Sequence, residues 1–513
     1  MSKMKKILAV LLTLIMTLAM TVTAFATTET NGTQVKVTGV EDERGVTVNA
    51  YQIIKYNSAG YYEPVIAGTI SKDSDENLAP SADDVQKLAK RLGELGTPVA
   101  LTKQTDGTYG SNALSAGTWM IIITGSKNYL YNPAIVSVQQ GTAGLVYGEL
   151  NLNTDSWGEN VYLKKSQPTI KKEALTPYVQ GVQYGDIIQF KITADIPSYT
   201  DNIDLQKYVI TDTLTGLELV VDDKHDFVAK VGETDVPIAN GTIVNSEESF
   251  TIDLASTDEG KAFVKANTGK QIEITYYAKV TTDAKITVDE ANNTAKLEYS
   301  TNDGVQEKTD KTRHYTFGID TAFSGNTSEK TNEFIKINDK GDVKFVDGEI
   351  KYDEGVTPLS GAEFQLHIGS KNGKLFTDAD KKNTFTTDTD GRLEINGLDS
   401  DVTYYLVETK APTGYTINST AIPVKINAVF SQDGVLERYS VKIGDNETQY
   451  NYDANTKVTT VEGVQNPYGF KNTKLANLPS TGGIGTTIFT AAGCLIMIFA
   501  VAFLFASRRR FSK

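Results

Sequence analysis

The sequence predicts an all-β protein made of β-sandwich domains in tandem, and three observations carry that expectation. Stretches such as Val35-Lys36-Val37-Thr38, Val46-Thr47-Val48-Asn49-Ala50-Tyr51 and Ile272-Glu273-Ile274-Thr275-Tyr276-Tyr277-Ala278 alternate in period two. That period sends successive side chains to opposite faces of a strand. These runs are rich in Val, Ile, Thr and Tyr and are punctuated by Gly, Asn and Asp, as short strands joined by turns require. The chain is 513 residues long, enough for about three cores at roughly 100 to 200 residues per domain.

Composition narrows the function. There are 42 glycines and only 13 prolines, and 50 cations against 64 acids leave a formal charge of −14. Collagen-like repetition and wholesale disorder do not fit this balance. Nor does a nucleic-acid partner, because nothing offsets the negative field. The single cysteine, Cys494, sits in an apolar stretch, which removes disulfide frameworks, cysteine zinc sites and a soluble thiol nucleophile. His225, His314 and His367 are far apart and form no paired spacing. No metal, no cofactor and no hydrolytic triad is expected.

In chain order, residues 1–26 carry Lys3, Lys5 and Lys6, an apolar run over 7–20 and a closing Ala24-Phe25-Ala26. This is the pattern of a cleaved signal peptide, so the chain is expected to be exported. A first sandwich follows over 27–163. Within it, residues 81–92 break the alternation: Ser81 can cap a helix whose Val85, Leu88, Ala89 and Leu92 share one face. A second sandwich is expected over 164–316, a polar connector over 317–332 and a third sandwich over 333–474.

The third domain contains Pro358-Leu359-Ser360-Gly361-Ala362-Glu363-Phe364, Asp390-Gly391-Arg392-Leu393-Glu394-Ile395-Asn396-Gly397-Leu398 and Tyr404-Tyr405-Leu406-Val407-Glu408-Thr409-Lys410-Ala411-Pro412. This string resembles the immunoglobulin-like collagen-adhesin B-type (CnaB) domain, including its E-box. The resemblance implies a covalent bond in which an inward lysine on the first strand condenses with an asparagine on the last, losing ammonia with help from the E-box acid. On this sequence those residues are Lys336, Asn472 and Glu408. Burial disfavours charge on amine and carboxyl alike, so a neutral amine beside a protonated acid can attack the carboxamide without an external enzyme.

The second domain carries Pro168-Thr169-Ile170-Lys171-Lys172, Tyr208-Val209-Ile210-Thr211-Asp212-Thr213-Leu214 and Asn293-Thr294-Ala295-Lys296-Leu297-Glu298-Tyr299, and resembles the fimbrial D2-type (CnaA-like) domain. Alternation puts Ile170, Lys172 and Ala174 on one face and Asn293, Ala295, Leu297 and Tyr299 on another, so Lys172 and Asn293 can meet, with Asp212 as the matching acid. A register shifted by one would substitute Lys171. The first domain has Met120-Ile121-Ile122-Ile123-Thr124, with threonine in the acid's place, and no such bond is expected there.

At the C-terminus, Leu478-Pro479-Ser480-Thr481-Gly482 is followed by an apolar span over 484–506 and by Arg508, Arg509 and Arg510. Residues 478–513 thereby resemble the cell-wall sorting signal of Gram-positive surface proteins, with a span long enough to cross a bilayer. The resemblance implies that a sortase cuts between Thr481 and Gly482 and passes Thr481 to an amine. Losing both ends takes the charge from −14 to about −21.

Between the first two domains, Trp157-Gly158-Glu159-Asn160-Val161-Tyr162-Leu163-Lys164-Lys165 resembles the pilin motif of sortase-assembled major pilins, with leucine in place of proline. It implies Lys164 as the amine that receives Thr481 of another copy, with Lys165 as the alternative. The implied protein is a non-enzymatic shaft subunit in an elongated chain, polymerised head to tail and attached to peptidoglycan. Its expected partners are further copies and a sortase, with minor pilins and host surface ligands as further candidates. The alternative is a monomeric wall-anchored adhesin of the same modules.

Overall fold

The computed structural model describes residues 35–111, 114–141, 144–147, 149–151, 165–175, 180–200, 203–238, 247–284, 291–323, 326–378, 381–463, 466–475 and 484–510. Among the described residues the fold is all-β apart from short helices and the C-terminal one. The chain divides into two compact units: residues 1–285 with 289–315 and 432–435, and residues 286–288 with 316–431 and 436–513.

The first unit holds two sheet systems. In the N-terminal one, Thr47–Tyr56 pairs antiparallel with Gly117–Thr124, which pairs in turn with Ala134–Gly141. Gly117–Thr124 is buried at nearly every position because both of its faces are covered. Trp119, Ile121 and Ile123 join one apolar cluster with Val35, Val37 and Val48, and Met120 and Ile122 join another with Val85 and Leu88. A strand covered on both sides needs no polar face, which accounts for the unbroken Met-Ile-Ile-Ile run. Val85 and Leu88 come from the helix Ala82–Ala89, capped by Ser81, whose hydroxyl accepts from the Asp84 N–H while the Asp84 carboxylate accepts from the Ser81 N–H.

The second system is a true sandwich. One sheet carries Ile170–Ala174, Ile187–Asp195 and Gln271–Val280, and the other carries Ser249–Asp253, Tyr208–Leu214, Ala291–Thr301 and Gly304–His314. Burial alternates strictly along Gln271–Val280 and nearly so along Ala291–Thr301, so each sheet has one inward face. A helix over Asp258–Ala266, capped by Thr257, was not anticipated by the sequence reading.

In the second unit, a seven-stranded sheet includes Glu363–Ile368, Thr403–Lys410 and Ile422–Phe430. Phe334–Asn338 pairs in parallel with Tyr468–Asn472, from Phe334↔Tyr468 to Asn338↔Asn472. The first strand of the predicted third domain thus lies beside its last.

The connector expected over 317–332 is corrected. Phe317–Ile319 is a strand paired with Ile395–Leu398, and Phe317, Ile319 and Asp320 are buried. The Asp320 carboxylate accepts the N–H groups of Glu333, Phe334 and Leu393 at 2.8–3.0 Å, while Glu333 accepts the Asp320 N–H at 2.7 Å. Each acid takes the other's backbone donor, so a polar stretch that resembles a linker is fastened into the fold.

Ile484–Arg510 is one helix, and its segment Ile488–Ser507 is long and apolar enough to cross a membrane.

Candidate functional site

Among the described residues two lysines are buried, Lys172 and Lys336, and each lies in an acid–carboxamide cluster. Lysine is almost never buried without a partner, so both positions call for a chemical explanation.

In the second unit, Lys336 and Asn472 are brought together by the parallel pairing of their strands, and Glu408 comes from Thr403–Lys410 with Tyr404 and Leu406 on the same inward face. All three side chains are essentially inaccessible. The Lys336 Nζ donates to Asn472 Oδ1 and lies 3.2 Å from Glu408 Oε1. Asn472 Nδ2 donates to both Glu408 oxygens at 2.8 and 3.1 Å. The Asn418 N–H holds Glu408 Oε2 at 2.6 Å. Phe364 and Phe470 wall the amine, with the Phe470 ring centroid 4.2 Å from Nζ. Desolvation lowers the Lys336 ammonium to about 8, against the opposing pull of Glu408.

Arranged this way, the amine faces the carboxamide and one carboxyl group touches both the amine and the nitrogen that would leave. The acid's contact is with the carboxamide nitrogen and not with its carbonyl oxygen. A carboxylate only accepts and an ammonium only donates, so the charged pair turns the carboxamide with Nδ2 toward Glu408 and Oδ1 toward Lys336.

In the first unit, Lys172 is inward on its strand between exposed Lys171 and half-buried Glu173. Lys171 forms a surface ion pair with Glu173 at 2.5 Å, so the register directs Lys172 inward and Lys171 to solvent. The Lys172 Nζ donates to Asp212 Oδ1 and to the Tyr276 hydroxyl, each at 2.5 Å. Tyr276 donates to Asp212 Oδ2 and accepts from Asn293 Nδ2 at 2.7 Å. Asp212, Tyr276 and Asn293 are fully buried. Burial lowers Lys172 to about 8 and pushes Asp212 up.

Tyr276 was missed as a site residue. Its signal was in the sequence: it shares parity with Ile272, Ile274 and Ala278 on the inward face, and a phenol placed in a core needs a polar partner.

The remaining predicted residues separate into two groups. Lys164, Thr481 and the rest of Leu478–Gly482 lie outside the described residues. Lys165 is described: its Nζ bonds Glu41 Oε1 at 2.6 Å and the Gly39 carbonyl at 3.4 Å, and sits 5.1 Å from the centroid of the Tyr129 ring. In the N-terminal system, Thr124 hydrogen-bonds Thr47 at 2.7 Å on the surface, so this position is neither buried nor acidic.

Comparison with known proteins adds three findings. Residues 348–458 match the SpaA prealbumin-like fold domain, and residues 471–510 match the LPXTG cell wall anchor motif. The chain is 24% identical, over 93% of its own length and 95% of the relative's, to the trypsin-resistant surface T6 protein of Streptococcus pyogenes serotype M6. It is 29% identical, over 30% of its length and 29% of the relative's, to the fimbrial subunit type 1 of Actinomyces viscosus. Among solved structures, the T6 backbone pilin of serotype M6 Streptococcus pyogenes, described as modular and three-domain, is similar in fold at 17% identity, covering 88% of this chain and 100% of that one, with a TM-score of 0.56.

Proposed function

We propose that this chain is the shaft subunit of a cell-wall-anchored, extracellular pilus, joined covalently to other copies by a sortase and braced inside by lysine–asparagine bonds. The observation that carries the reading is the pairing of a cell wall anchor motif at 471–510 with dry lysine–carboxamide–acid clusters in successive sheet systems. Similarity along nearly the whole chain to a surface protein supports it. The monomeric adhesin reading has no observation in its favour.

In this reading the residues act as follows. The Thr481–Gly482 bond is cut and the Thr481 carbonyl is passed to Lys164 of the next copy, giving a heterologous, open head-to-tail polymer. Lys165 is engaged with Glu41 and Tyr129, which favours Lys164 as the acceptor. Lys336 joins Asn472 with Glu408 as acid, and Lys172 joins Asn293 with Asp212 as acid, each releasing one ammonia. The chain acts only on itself in these steps and is otherwise a substrate.

Two measurements test this. Wall extracts should give high-mass ladders that vanish in Lys164→Ala and persist in Lys165→Ala; monomers alone in the wild type would return the adhesin reading. The intact mass of the folded ectodomain should fall short of the sequence mass by two ammonia molecules, and Glu408→Ala should restore one of them.

A further inference from the structure

The two clusters solve one chemical problem with different parts. Glu408 touches both Lys336 and the Asn472 nitrogen directly. Asp212, one methylene shorter, touches Lys172, and its connection to Asn293 runs through the Tyr276 hydroxyl. That hydroxyl accepts from Lys172 Nζ and from Asn293 Nδ2 while donating to Asp212 Oδ2. It therefore contacts the nucleophile, the leaving nitrogen and the acid together. Asn293 Oδ1 is buried without a hydrogen-bond partner, so no donor stabilises charge on the carbonyl oxygen. Assistance has to come from the leaving-group side.

We infer that Tyr276 is a catalytic residue of the Lys172–Asn293 condensation, a phenol relay that carries the Asp212 proton to the departing nitrogen. This rests on the proposed internal bonds.

The step balances. Lys172 first gives a proton to the Tyr276 hydroxyl as that hydroxyl gives its own to Asp212 Oδ2, leaving a neutral amine and a carboxylic acid. The amine lone pair attacks Asn293 Cγ, and the new C–N bond forms. As the Cγ–Nδ2 bond breaks, Tyr276 gives its hydroxyl proton to Nδ2 and takes one from Asp212. The former Lys172 nitrogen then returns a proton to Asp212. Ammonia leaves, Tyr276 and Asp212 end as they began after the first transfer, and no oxidant or co-reactant is used. The phenol need not ionise fully, which matters because burial and the Asp212 charge raise Tyr276 well above its ordinary value. A concerted transfer avoids a bare phenolate.

The test follows the full chain in pulse-labelled cells, with mass spectrometry of the digest timing the cross-linked peptide that joins the Lys172 and Asn293 segments. Tyr276→Phe keeps the ring and removes the relay; the cross-link should form at least ~100-fold more slowly, while the Lys336–Asn472 cross-link appears at the wild-type rate. Lengthening the acid in the same background, Asp212→Glu with Tyr276→Phe, should restore the cross-link, because a glutamate can reach the nitrogen as Glu408 does. A merely structural tyrosine would not be rescued in this way. Formation at the wild-type rate in Tyr276→Phe overturns the inference. If protease digestion shows that the single variant fails to fold, the double variant decides: restored cross-linking supports the relay, and its absence overturns it. A wild-type chain lacking the Lys172–Asn293 cross-link would instead sink the proposed bond itself.

Discussion

An ammonium taken out of water is held at a cost that its acid only partly offsets. In Lys172 this cost appears as a value of about 8 against the ordinary 10.5. The sign of the pH effect follows. Between those two values the unfolded chain binds more protons than the fold, so the stability of an unreacted second sandwich rises as pH climbs from about 8 toward 10.5. Below that window the full penalty applies. Asp212, raised by burial, works the other way in the acid range: its raised value favours the fold at low pH, and that contribution is lost as pH rises through it. We expect Asn293→Ala, which cannot form the bond, to gain a few kcal/mol in urea unfolding between about pH 7 and about pH 10. The double variant Lys172→Met/Asn293→Ala should lack that gain, and parallel pH profiles for the two would refute the assignment. At this scale the sequence was informative where chemistry is local: Lys172 is inward by simple alternation, whereas Lys336, Glu408 and Asn472 were reached through the resemblance of their domain, since every position of Phe334–Asn338 is buried. Tyr276 was harder to read: parity with Ile272 and Ile274 sets it apart from Tyr277 beside it, but only its cross-sheet partners show what its hydroxyl does.

Secondary elements show where local pattern misleads. Residues 317–332 look like a connector because they are polar and contain glycine, yet the Asp320 carboxylate binds three backbone N–H groups. One of these, from Phe334, opens the Lys336 strand, and Glu333 immediately precedes it. A reciprocal clasp between an acid and a backbone 13 residues away has no period, so no pattern in the sequence announces it. Asp320→Ala would leave three buried donors without an acceptor at about 1–3 kcal/mol each. We expect a loss of at least ~3 kcal/mol in the second unit, read as a lowered denaturation midpoint in a Glu408→Ala background that lacks the covalent brace. An unchanged midpoint would mean that the clasp is idle. The helix Asp258–Ala266 was hidden for a different reason: Gly260 lowers its propensity. A Cβ at that position would lie 2.3 Å from the Leu254 carbonyl oxygen, so packing requires the glycine that obscures the helix. The Met-Ile-Ile-Ile run lies within the strand Gly117–Thr124, and its lack of alternation reflects two covered faces and not one.

For the molecule as a whole, the two proposed bonds close very long loops. Lys336 and Asn472 are 136 residues apart in sequence, and the chain-entropy estimate for a cross-link closing about 100 residues or more is roughly 4 to 5 kcal/mol. Asn472→Ala should therefore lower the unfolding free energy of the second unit by about that much, together with whatever the stranded Lys336 amine adds. Guanidinium unfolding of the ectodomain, followed by a probe in the second unit, measures it. A loss below about 1 kcal/mol would show that the bond does not brace the fold.

The parallel pairing of Phe334–Asn338 with Tyr468–Asn472 has a mechanical consequence. Once Lys336 and Asn472 are fused, a pull arriving from the wall side passes from one strand straight to the other and skips the residues between them. Everything from the hairpin near 343 to the sheet edge near 462 then hangs beside the line of tension as a pendant. Exposed positions of that segment, away from Glu408, Asn418 and Leu393, can then be exchanged without lengthening or loosening the covalent path between the two strands.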